Sequence, residues 1–438
     1  MKYSWHDFLQ KSMKLQFNFL AQSTKNYSDA MKFLKQNGIL PGLSDAAADE
    51  AAAASDFWDY LSKDHPKPPF GLTETAIAGK KITVTETAVK EKPFGTLKHF
   101  KRDCTRNDPK VLIVPPTSGH YASMMRDTVK ELLPGHEVYV LDWENPRDVD
   151  VKHGDFSLED YIDYVRDALE ELGEDVHIIG FSQSTVPVLA TGALMAAEKD
   201  KNRPASMTLM GGPIDVTAEQ SSVAEFAQQH DLDWFKRNTI MKVPSDYEGA
   251  GREVYPGFLQ LAGLMAVNAD AHHKNRNDLI AALRAKDTEK SGKIKDFYDD
   301  YLAVSDLPAQ FYLDTIKLVF QDAALAKGTM THHGKKIDPA AVTDIPLLTV
   351  SGKKDEIVPP AQNEAAQDLC KNLTDDSRKS LILDKAGHYD LCSGAIFKKQ
   401  ILPELTAFIR DAGVKRGIAY DAAPQQPARK MRKGKKPQ

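Results

Sequence analysis

Cysteine is scarce in this chain: Cys104, Cys370 and Cys392 are the three among 438 residues. An odd, widely spaced set does not read as a disulfide framework or a zinc site, and it suits a reducing cytoplasm. Long apolar runs are also missing. No stretch of 18 apolar residues occurs, so no membrane-spanning helix is expected, and the opening residues lack the apolar core of a signal peptide. Charge of one sign is not in large excess either: 57 Lys and Arg face 62 Asp and Glu, a net charge of −5. That balance gives no reason to expect a nucleic-acid partner. The exception is local, since 429–438 carries six basic residues and no acid. What is present is ordinary: 42% hydrophobic and 27% charged residues, enough apolar material for a sizeable core.

Patterning along the chain suggests five segments. Residues 1–66 read as an amphipathic helix to about residue 37, with Phe8, Leu9, Met13, Phe17 and Leu20 at helical spacing. An Ala, Asp and Glu tract follows from Asp45, a linker or a loosely held helix. Residues 67–214 start with an alternating edge strand over Ile82–Val89. Short apolar runs follow at Val111–Val114, His136–Leu141, Val176–Ile179 and Met207–Met210, separated by helical patterns. Strands bounded by Gly or Pro and alternating with helices predict a mostly parallel sheet with helices on both faces. Residues 215–344 break this rhythm with helical periodicity and many aromatics, as a cap over the C-terminal strand ends would. Strands resume in 345–415 at Leu347–Val350 and Leu381–Leu383, with a closing helix near 396–412. Residues 416–438 read as a basic, disordered tail.

Three short patterns carry chemistry. Val176–Ser184 is a buried strand running into Gly180-Phe-Ser-Gln-Ser184 and then a helix, the layout of a nucleophile elbow with Ser184 in place of the usual second Gly. Asp355 lies three residues beyond Gly352, at the end of the next strand, and His388 follows the last strand. Each alone has a bland reading as a surface residue. The order Ser, Asp, His, each after a predicted strand, is that of an α/β-hydrolase with Ser182, Asp355 and His388 as catalytic triad. In those roles His388 moves the Ser182 proton, and Asp355 fixes the imidazole tautomer. The backbone amide of Gln183 is one expected oxyanion donor, with Ser118 or Gly119 supplying the second. His120 and Tyr121, in the same loop, either line the substrate pocket or pack beneath it. No cofactor and no metal are expected.

Longer segments resemble the intracellular polyhydroxyalkanoate (polyhydroxybutyrate) depolymerases. They are Pro116–Tyr121, Asp142–Asp148, Gln183–Val188, Tyr255–Leu259, Phe297–Tyr301, Asp306–Pro308, Tyr312–Ile316 and Gly387–Tyr389. Several fall in the cap, where generic hydrolase motifs do not reach. The resemblance implies an α/β-hydrolase fold with a helical cap, a cytoplasmic place at storage granules, a poly(3-hydroxybutyrate)-like polyester as substrate, and the triad named above. The best-known members look like cysteine enzymes at the nucleophile; here the residue is Ser182. Three activities compete on this basis: ester hydrolysis, synthase-like acyl transfer from coenzyme A thioesters, and granule coating without catalysis. Granule-surface proteins are possible partners, and the N-terminal helix either lies on the granule or packs on the domain.

Overall fold

The computed structural model describes residues 3–39, 45–267 and 269–424. Helix α1 (Tyr3–Gln36) runs against α2 (Asp45–Ser62), so the Ala-rich tract is a packed helix rather than a linker. Its small residues explain the contact. Ser28 donates to the Ala48 carbonyl and Ser55 to the Ala21 carbonyl, both at 2.8 Å, an approach bulkier side chains would prevent. Because the seam is built from small residues, the large ones are left outside. Phe17 stacks on Trp58, whereas Phe8, Met13 and Leu20 of the face read from sequence are exposed, together with Trp5, Leu15, Phe19 and Phe33. The pair docks on the cap. Tyr3 packs with Val243 and Val254, and Tyr60 with Leu279, Tyr298 and Tyr301.

The sheet has nine strands. In chain order its first part is β1 (Glu74–Ile77), β2 (Lys80–Lys92), β3 (Gly95–Arg102), β4 (Lys110–Val114), α3 (Arg126–Leu132), β5 (Glu137–Trp143), α4 (Leu158–Leu172), β6 (Val176–Phe181), α5 (Thr185–Ala197) and β7 (Ser206–Met210). The cap follows. It holds α6 (Ser222–Gln229), α7 (Leu232–Thr239), β8 (Met241–Lys242), β9 (Glu253–Tyr255), α8 (Gly257–Val267), α9 (Ala269–Arg284), α10 (Thr288–Tyr301), β10 (Leu307–Pro308), α11 (Ala309–Asp314), and the hairpin β11 (Thr331–His332) and β12 (Lys335–Lys336). The chain returns through β13 (Leu347–Gly352), α12 (Pro360–Leu369), β14 (Arg378–Leu383), α13 (Gly394–Ile396) and α14 (Leu402–Lys415).

Strand order is β1-β2-β3-β5-β4-β6-β7-β13-β14. All pairs from β5 to β14 are parallel; β1, β2 and β3 are antiparallel. This is the α/β-hydrolase fold, with the turn after β6 at the middle of the sheet. The predicted edge strand forms, but β1 covers its first residues, and β3 lies between it and the parallel strands. Helix α5 is buried along its length and sits close to the sheet, since a Cβ on Gly192 would meet the Met207 sulfur at 2.3 Å. The segment between β7 and β13 is mainly helical, with a three-stranded sheet of β8, β9 and β10.

The tail begins later than expected. Tyr420 donates to or accepts from His177 Nε2 at 3.1 Å, and Asn107 donates to the Ala419 carbonyl. Residues 425–438, the basic run, lie outside the described residues. No helix among the described residues is long and apolar enough to cross a membrane.

Two core imidazoles set an acid limit on this fold. Burial lowers His136 to about 4 and His177 to about 3. Both folded values lie below the ordinary ~6.5, so the unfolded chain binds more protons below that pH. Their contribution is complete above pH ~6.5 and is lost as pH falls toward 4 and 3, by roughly 1 kcal/mol per unit per histidine. Thermal melts from pH 7.5 to 4.5 should show a falling Tm, and His177→Gln should flatten that slope.

Candidate active site

The sharp turn after β6 lifts Ser182 out of the sheet, and its backbone sits at φ +56°, in the left-handed region. Such strain persists only where surrounding contacts hold it. Ser184 supplies one. It is fully buried, accepts from the Phe181 amide at 2.8 Å and donates to the Val114 carbonyl at 2.5 Å. The hydroxyl that replaces the usual second Gly thus ties the elbow to β4. Gly180 gives the required clearance, because a Cβ there would lie 3.2 Å from the Thr185 backbone.

The chain then brings three distant side chains into one line. Ser182 Oγ lies 2.9 Å from His388 Nε2, and His388 Nδ1 lies 2.7 Å from Asp355 Oδ2. Asp355 Oδ1 accepts from the amides of Ile357 and Val358, both at 2.9 Å, which fixes the carboxylate plane. The Asp355 side chain is fully buried and His388 is nearly so. With Nδ1–H held by the carboxylate, Nε2 presents a lone pair to the Ser182 hydroxyl.

The Gly211-Gly212 pair after β7 makes room for this line. A Cβ on Gly211, itself at φ +57°, would lie 3.3 Å from Asp355 Oδ2 and 3.4 Å from His388 Cε1. One on Gly212 would overlap the Thr185 side chain at 1.8 Å. Thr185 donates to the Ser182 carbonyl at 2.7 Å, so the elbow would have to shift. We expect Gly212→Ala to cost about 1–3 kcal/mol by overpacking, read as a lowered denaturation midpoint together with lost reactivity of Ser182. Unchanged values of both would refute this account of the pair.

The loop after β4 differs from expectation. Gly119 donates to Gln260 Oε1 at 2.9 Å, and Gln260 is buried and donates in turn to the Tyr255 and Ser305 carbonyls. The Gly119 amide therefore faces a cap side chain, whereas the neighbouring amides face the elbow. Ser118 donates to Gln183 Oε1 at 3.0 Å. The same oxygen accepts from the Thr117 hydroxyl at 3.0 Å and the Thr117 amide at 3.3 Å. Thr117 and Gln260 were not found from sequence. Their roles depend on where two glutamine side chains lie, which no local pattern reports.

His120 and Tyr121 both line a narrow cleft with Phe94, Thr117, Trp143, Phe156, Ser305 and Asp306. His120 is buried, and its Nε2 sits 3.1 Å from the Tyr389 hydroxyl while Nδ1 has no partner. Burial, and then the charge of His388, lower it to about 4, so the ring is neutral at physiological pH. Tyr121 accepts from Asn145 Nδ2 at 3.1 Å. Most cap aromatics are core, Phe235, Phe311 and Tyr312 among them, whereas Tyr301 reaches back to His120 with ring centroids 5.0 Å apart. Cys392, close to His388 in sequence, is buried, and burial pushes its thiol up to about 12.

Comparison with known proteins adds the chemical setting. Residues 211–413 match the family described as PHB de-polymerase C-terminus. The chain is 24% identical over 295 residues to the poly(3-hydroxyalkanoate) polymerase subunit PhaC of Haloarcula marismortui, covering 64% of this chain and 55% of that protein. The match thus spans little more than half the length of this relative. Solved structures with a similar fold include a putative lipase from Acinetobacter baumannii, at 14% identity and a TM-score of 0.41, covering 76% of this chain and 93% of that one. Another is the α/β hydrolase GrgF from Penicillium, at 14% identity and a TM-score of 0.44, covering 76% and 98%. The strand order and the elbow described above make this an α/β-hydrolase fold, and the sequence matches make the chain similar to proteins of polyhydroxyalkanoate turnover.

Proposed function

We propose that the chain hydrolyses ester bonds of a poly(3-hydroxybutyrate)-like storage polyester, with Ser182 as nucleophile. The observation that carries this reading is the unbroken hydrogen-bond line from Ser182 through His388 to Asp355. Ser182 Oγ attacks the ester carbonyl carbon while its proton passes to His388 Nε2. Asp355 stays ionised and stabilises the imidazolium. Collapse of the tetrahedral intermediate breaks the bond to the alcohol, which leaves with the His388 proton, and an acyl ester remains on Ser182. Water then repeats the sequence and releases the acid.

The oxyanion forms beside the start of α5, where the Gln183 amide is the first donor. The second comes from Thr117 and Ser118, whose amides already cradle an acceptor oxygen from Gln183. An uncharged polyester offers only carbonyls and apolar surface to recognise. Thr117, bonded to Gln183, and His120, which feels the charge of His388, put a few polar groups of the β4 loop beside the elbow. Action at granules in the cytoplasm belongs to this same proposal.

A second reading, acyl transfer to or from coenzyme A, is favoured by the similarity to a polymerase subunit. Product analysis on amorphous granules separates them. Hydrolysis releases 3-hydroxybutyrate or short oligomers whether or not coenzyme A is present. Release of hydroxyacyl-coenzyme A that depends on added coenzyme A would favour transfer, and granule binding with no release would leave a coat protein.

A further inference from the structure

We propose that Asp163, His332 and His333 form a binding site for a divalent transition metal of the zinc type, separate from the Ser182 centre. Asp163 lies on the first turns of α4. The two histidines lie on the hairpin that leads from the cap back into the sheet. His332 Nε2 is 2.9 Å from Asp163 Oδ1, and His333 Nε2 is 2.8 Å from Asp163 Oδ2. One ligand atom from each residue falls within 4.8 Å of the others. The two rings therefore aim their Nε2 atoms at one carboxylate from adjacent positions, with centroids 4.2 Å apart.

The hairpin turn produces this convergence. His332 pairs with Lys335, leaving His333 and Gly334 as the two loop residues, at φ +45° and +77°. Two successive left-handed residues make the tight turn that normally takes Asn-Gly, and a histidine stands in the Asn place. His332 is buried and His333 exposed, so one ligand is fixed by packing and the other faces solvent. Glu159, one helical turn before Asp163, approaches His333 Nδ1 at 3.4 Å and accepts from the His333 amide at 2.8 Å. A carboxylate on the far nitrogen of a ligating imidazole is the usual outer support of a zinc site.

The donor set fits the metal. Imidazole nitrogen and carboxylate oxygen bind Zn²⁺ at about 2.0–2.2 Å, which puts tetrahedral ligand atoms about 3.3 Å apart. The 2.8 and 2.9 Å separations run to the two different oxygens of Asp163, and the three ligand atoms lie within 4.8 Å of one another, so the set must draw together by at most about 1.5 Å. Binding replaces the two imidazole N–H contacts with metal bonds, each ring offering its Nε2 lone pair, and water fills the fourth position.

The test uses the full chain, stripped with EDTA and titrated with ZnCl₂ by calorimetry, with thermal melts alongside. One equivalent bound at micromolar concentration or tighter is expected, with a higher Tm in the presence of zinc. His332→Ala and Asp163→Asn should weaken that event at least tenfold. His333→Ala, at an exposed turn position with its own metal-free Tm as the control, should do the same and abolish the Tm rise. Absence of a one-equivalent event in the wild-type chain, or the same affinity in His333→Ala, would overturn the proposal.

Discussion

Ser182→Ala is expected to lower ester hydrolysis by roughly 10⁴–10⁶-fold while leaving the melting temperature within a few degrees. The two halves of this expectation have separate causes. The activity falls because no other nucleophile is poised: Cys392 is buried with its thiol held near 12, and the Ser184 hydroxyl is spent on Val114. The fold survives because Ala occupies the φ +56° position at much the same cost as Ser, and one contact to His388 is lost. Rates on a soluble ester and on amorphous polymer, with circular dichroism as the control, measure both. Turnover at the wild-type level in a folded variant would remove the serine mechanism. Ser182→Cys adds a sharper comparison. A thiol with an ordinary pKa near 8.5 depends less on its histidine, so retained hydrolysis with a flatter pH profile is expected, together with any gain in transfer to coenzyme A.

Asp355→Asn should cost about 10⁴-fold in kcat with little change in stability. The geometry says why so small a change is so damaging. Asp355 Oδ1 is claimed by two amide donors, Ile357 and Val358. In the variant the side-chain carbonyl keeps those bonds, so the NH₂ group faces His388 Nδ1. That nitrogen must then accept, the ring proton moves to Nε2, and Nε2 no longer takes the Ser182 proton. Measuring kcat and KM separately checks the account, since substrate binding does not involve Asp355. A loss appearing in KM alone would contradict it.

Much of the fold was legible because its central strands are buried on both faces. Val111–Val114, Val176–Ile179 and Leu347–Val350 stand out as short apolar runs for that reason. Strand β3 did not, since it mixes buried Leu97 and Phe100 with Lys98 and Lys101. The β8, β9 and β10 pairings are two or three residues long, too short to show a period. The α1–α2 seam was misread in kind: large apolar residues at helical spacing marked the outside, because Ala and Ser make the contact. At the site, the residues read as nucleophile, base and acid converge in space. The choice of loop donor depended on Gln183 and Gln260, whose side-chain positions are set by the cap and leave no trace in spacing.

The insertion of 211–346 between β7 and β13 has a consequence for how the molecule comes into being. These strands are sheet neighbours, yet Ser182 leaves the ribosome long before Asp355 and His388 are made. Four of the six parallel strands must wait, with the apolar edge of β7 open, until the intervening segment collapses and the last fifth of the chain is added. Pairing across so large a loop is slow. A nascent or truncated chain ending before residue 388 therefore carries an inert hydroxyl and an unpaired strand prone to association.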